Sequence, residues 1–107
     1  MPIKIASLDY RSSQSLLDSQ TVTINSFLSD KTVTKLVVCD EFIMAHYTAA
    51  PLVGLPIKVK IFALTDAIQA NGIPATETAI NNFINSNVTS PEDLISLDSG
   101  VIVLVYR

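Results

Sequence analysis

Charge is scarce in this 107-residue chain: Asp, Glu, Lys and Arg make up 16% of it, against 49% hydrophobic residues. Soluble domains usually carry about 25% charged residues, so more apolar surface needs covering here than is usual. The net charge is −3 and no cluster of Lys or Arg occurs. That balance argues against nucleic acid or anionic membranes as partners, because neutralising phosphates requires a basic excess. A single cysteine, Cys39, excludes an intramolecular disulfide and points to a reducing cytoplasm. With one Cys and one His, a Cys/His zinc site is excluded without partners from other subunits, and no metal or cofactor is expected. The three glycines, at 54, 72 and 100, stand singly, so no phosphate-cradling loop is present. No charged-then-apolar leader is apparent at the N-terminus. The longest apolar run, Val101 to Tyr106, is strand-sized and too short to span a membrane.

What the chain does contain is said twice. Pro2-Ile3-Lys4-Ile5 returns as Pro56-Ile57-Lys58-Val59, and Ile24-Asn25-Ser26-Phe27 returns as Ile80-Asn81-Asn82-Phe83. Each half then runs to an Asp (Asp40, Asp98) and closes on an apolar stretch ending in Tyr (Tyr47, Tyr106). This order predicts an α+β fold built by internal duplication of a β-α-β-β unit: units 1–48 and 55–107, joined by a linker at 49–54. The expected arrangement is a mainly antiparallel six-stranded sheet with two helices sharing one face. The alternative is a ferredoxin-like β-α-β-β-α-β domain. Each unit alone is too small to bury a stable core, so 1–107 is expected to fold as one domain.

Local signals support the elements. Residues 3–8 and 57–61 alternate as strands. Leu17, Thr21, Ile24 and Leu28 recur at helical spacing, after a candidate cap at Arg11-Ser12-Ser13. Thr21-Val22-Thr23 weakens intrinsic propensity there, so packing is expected to hold that helix. Val33 to Cys39 and Glu41 to Thr48 read as a hairpin turning at Asp40. Asn71-Gly72 and Pro74 predict a break in any helix begun near Asp66, with Thr76 capping a second helix. Ser90 to Asp93 reads as a loop or helical start, followed by strands at 94–97 and 101–106.

The closing strands are apolar on both faces. Val101, Val103 and Val105 point one way and Ile102, Leu104 and Tyr106 the other; Phe42, Met44 and His46 oppose Ile43, Ala45 and Tyr47. A helix covers one face only, so the second must meet the other unit or another chain. The reading is a non-enzymatic interaction or assembly module that forms a homo-oligomer, with Met44, Val101, Val103 and Val105 as interface residues. The alternative is a small-ligand or catalytic site between the units near Asp40, His46 and Tyr47, with Tyr106 as its counterpart in the second unit.

The remaining chemistry has plainer explanations. Cys39 and His46 make the one group resembling an activated nucleophile, but hairpin pairing keeps them apart and a lone Cys is commonly a small buried hydrophobe. The paired Asp40 and Asp98 read as turn residues bonding their own backbone. Asn25 and Asn81 read as structural, each bonding a loop. Lys4, Lys58 and Lys60 would form a basic stripe if the opening strands were neighbours; protection of a strand edge is the simpler role.

Overall fold

The computed structural model describes residues 2–9 and 13–107. The element order is β1 (Ile3–Ser7), α1 (Gln14–Leu28), β2 (Lys31–Val38), β3 (Phe42–Pro51), β4 (Lys58–Phe62), α2 (Leu64–Asn71), α3 (Ile73–Asn87), β5 (Pro91–Ser96) and β6 (Ile102–Tyr106). The fold is α+β, but the expected six-stranded sheet is instead two three-stranded antiparallel sheets, β1-β3-β2 and β4-β6-β5. Among the described residues there are three helices rather than two, and they do not share the face of one sheet. In both sheets the last strand of the set lies in the middle.

Helix α1 forms for the reason its spacing implies. Leu17, Thr21, Ile24 and Leu28 are its buried residues, a single stripe at intervals of three and four. Propensity contributes little: Thr21, Ser19 and Thr23 each turn a hydroxyl back onto a carbonyl one turn earlier, a habit that weakens helices. The cap position is Ser13, without a side-chain bond; Arg11 and Ser12 lie outside the described residues.

Gly72 divides the second helical segment. Its φ of 86° ends α2, its N–H donates to the Ile68 carbonyl, and its own carbonyl accepts from the Thr76 N–H. Helix α3 therefore starts earlier than the sequence suggests. Thr76 lies inside its first turn and donates its hydroxyl to Gly72 at 2.9 Å instead of capping. Strand β5 begins at Pro91, where a loop was expected. Proline is tolerated as the first residue of an edge strand, and β5 is such an edge. Strand β3 runs to Pro51 and absorbs the start of the expected linker. Just past the linker, Arg107 donates to the Leu55 carbonyl at 2.8 Å.

One core draws on both halves. Ala6, Leu8, Ile43 and Ala45 of the first sheet and Leu17, Ile24 and Leu28 of α1 join Val59, Ile61, Val101, Val103 and Val105 of the second. The first sheet thus packs one face across α1 and the second sheet together. The opposite face of the second sheet carries α3, through edge-to-face contacts of Phe83 with Phe62 and Tyr106.

Candidate functional site

Helix α1 lies along the edge of β4 and closes it with side chains. Gln14 donates to the Ile61 carbonyl at 2.7 Å and accepts from the Ala63 N–H at 2.8 Å. Asn25, three turns later, donates to the Val59 carbonyl and accepts from the Val59 N–H, both at 2.9 Å. Between them Lys60 bonds Asp18 at 2.8 Å. Two carboxamides therefore do for an edge strand what a further strand would do. Partial burial alone would raise the Asp18 carboxyl, but hydrogen bonds from Lys60 and Gln14 and the Lys60 charge outweigh it and hold it below the ordinary range. Asn25 was legible in the sequence as a structural residue, though its partner is a strand edge and not a loop. Gln14 and Asp18 carried no signal, because their partners lie in the other half of the chain.

Among the described residues neither α3 nor β1 has such a partner. On β1, the Pro2 carbonyl accepts from Tyr47 and the Leu8 N–H donates to Glu41. The antiparallel alternation then turns Pro2, Lys4, Ala6 and Leu8 towards β3, and leaves the N–H and C=O of Ile3, Ile5 and Ser7 on the free edge. Ile3 and Ile5 are 48% and 57% exposed. On α3, Asn81 is exposed and makes no hydrogen bond among the described residues. It stands on an apolar groove of about 310 Å³ whose lining includes Phe62, Ile73, Ile80, Ile84, Leu94 and Leu104.

The residues singled out in the sequence do not converge. His46 pairs with Ile3 and Lys35 on the outer face of the first sheet. Tyr47, its neighbour, points to the inner face and meets Phe27 edge-to-face at 5.2 Å. Asp40 sits in the turn closed by the bond from Cys39 N–H to the Phe42 carbonyl. Tyr106 belongs to the second sheet, edge-to-face with Phe83, and burial pushes its hydroxyl above the usual phenol range. Cys39 lies opposite Phe42 and His46 further along β3, roughly 13 Å away at 3.3 Å per residue, too far for base and nucleophile. Among the described residues neither Asp40 nor Asp98 makes a side-chain hydrogen bond. Asp40 Oδ1 is buried without a partner, so the expected Asp turn chemistry is not what closes these turns.

The interface residues divide. Val101, Val103 and Val105 are buried in the chain's own core, because α1 and the first sheet cover the face that a partner was expected to take. Met44 is half-buried on the outer face of the first sheet, beside Ile5. The lysines form no stripe, since β1 and β4 belong to different sheets. Lys4 lies over the Phe27 ring at 5.1 Å and Lys60 over the Phe83 ring at 5.3 Å. Across the ladders Tyr47 faces Pro2 and Tyr106 faces Lys58. By ring and register, Lys4 thus stands where Lys60 stands, two residues out of step with the sequence match to Lys58.

Among the described residues no group of His, Cys, Asp and Glu is placed to hold a metal ion, and no helix is long and apolar enough to cross a membrane. Neither a protein-family model, nor a curated protein, nor a solved structure matches the chain.

Proposed function

We propose that this protein is a non-enzymatic assembly module that self-associates through apolar surfaces, in the reducing cytoplasm that its lone thiol suits. The observation carrying this reading is that, among the described residues, two apolar surfaces stay uncovered on opposite sides of the chain. One is the outer face of the first sheet, at Ile3, Ile5 and Phe42; the other is the groove along α3. Apolar surfaces of this kind mark interaction sites on soluble proteins. The scatter of Asp40, His46, Tyr47 and Tyr106 supports assembly over catalysis, since a reaction needs its groups within reach of one substrate.

Internal duplication belongs to the same reading. It is supported by the shared strand order, by the Phe27–Tyr47 and Phe83–Tyr106 ring pairs, and by Lys4 over Phe27 and Lys60 over Phe83, although Lys31 also lies over Phe27. An association that requires folded chains makes the melting temperature rise with protein concentration. Thermal unfolding across a wide concentration range tests the reading: a rising midpoint supports it, and a constant midpoint with reversible unfolding contradicts it.

A further inference from the structure

The contact between the two halves has one side left over at each end of the chain. On the covered side, Leu17, Ile24 and Leu28 of α1 and Val59 and Ile61 of β4 are all buried, and Asn25 grips both backbone groups of Val59. Matched by ring contacts and strand register, Val59 and Ile61 correspond to Ile3 and Ile5, and Asn25 to Asn81. In the same frame Leu17, Ile24 and Leu28 correspond to Ile73, Ile80 and Ile84. Apart from Glu77, which stands at the position of Thr21 and is exposed, this second set is apolar or amide-bearing, and none of it is fully buried: Ile73 is 63% exposed, and Ile80 and Ile84 are half-buried along the groove. The Ile3 backbone faces an open edge, as the Val59 backbone would without Asn25.

We infer that a second copy of this chain docks in the α3 groove, laying the outer face of its β1 there and presenting the Ile3 N–H and C=O to Asn81. The inference rests on the self-association proposed above and adds its geometry. The occupant follows from continuity with the internal contact: the chain already builds this interface once, between α1 and β4, and carries the two unused halves of another. The contact is head-to-tail, so it closes into a ring or continues as an open chain. It is not fully equivalent to the internal one. Ala70 and Pro74 stand where Gln14 and Asp18 stand in α1, so the amide of Asn81 has no companions and the contact between copies is the weaker of the two.

Two variants test the geometry, each altering exposed residues only. Ile3→Glu with Ile5→Glu blocks the strand and spares the groove; Asn81→Arg with Leu94→Glu blocks the groove and spares the strand. Sedimentation equilibrium should find each alone at monomer mass at concentrations where the unaltered chain assembles. An equimolar mixture should recover twice the monomer mass, because each variant keeps the half that the other has lost. Far-ultraviolet circular dichroism checks that both remain folded. A blocked variant that assembles like the unaltered chain, or a mixture that stays monomeric, overturns the head-to-tail contact while leaving self-association standing. An unaltered chain that is monomeric throughout removes the underlying reading. A groove that takes up dodecanoate stoichiometrically while the chain remains monomeric overturns both.

Discussion

Asn25 holds Val59 by both of its backbone groups, accepting from the N–H and donating to the carbonyl at 2.9 Å each. One side chain from the first half of the chain thereby seals the edge of a sheet in the second. This is why there are two sheets and not one. A strand approaching β4 from that side would find the Val59, Ile61 and Ala63 edge already satisfied by Asn25 and Gln14.

Removing that amide leaves a buried N–H and carbonyl without partners. Asn25→Ala should cost about 2–4 kcal/mol, the desolvation of two backbone groups, read by urea unfolding. Asn81→Ala, at an exposed position with no hydrogen bond among the described residues, should leave the stability of the isolated chain within about 0.5 kcal/mol. Equal effects of the two substitutions would show that the Asn25–Val59 contact contributes nothing special.

Gly100 and Gly54 share a φ of 84° but not their surroundings. A Cβ at Gly100 would collide with the Thr65 side chain, lying 2.8 Å from its Cβ, whereas one at Gly54 would meet nothing within 4 Å. Gly54→Ala should cost about 1–2 kcal/mol for the left-handed backbone alone. Gly100→Ala should cost clearly more, since the turn must also move away from Thr65, whose N–H donates to the Gly100 carbonyl. Thermal unfolding of the two variants compares them directly.

The Asp18 carboxyl is held below its ordinary range in the folded chain. Its contribution to stability is therefore complete above the unfolded-state value of about 3.9 and is lost as pH falls through the lower folded value. Asp18→Asn should flatten the stability profile in that acid window. At neutral pH it should cost no more than about 1 kcal/mol, because the half-exposed pair is screened by solvent. Urea unfolding between pH 2 and pH 5 (roughly the span of the titration) measures both effects.

Much of the local structure was legible because it depends on neighbours in sequence. The Leu17-Thr21-Ile24-Leu28 stripe, the two-faced β6 strand and the break at Gly72 follow from periodicity and from φ at one glycine. What was not legible depends on contacts between halves. Gln14 and Asp18 look like ordinary exposed helix residues until β4 lies beside them. Val101, Val103 and Val105 look like a spare face until α1 and the first sheet cover it. The lysine match misled for a related reason: Lys58 follows the same Pro-Ile pair as Lys4, but the residue over the Phe83 ring is Lys60. The site proposed above consists of apolar residues, among them Ile3, Ile5, Ile80 and Ile84. Their exposure is a property of the fold and not of their type.

The central claim is that the uncovered surfaces bring copies of this chain together. Absolute mass by light scattering over a wide dilution series tests it most directly. The account predicts a mass above that of the 11.6 kDa chain, falling towards it on dilution. A mass of one chain at every concentration would contradict the account.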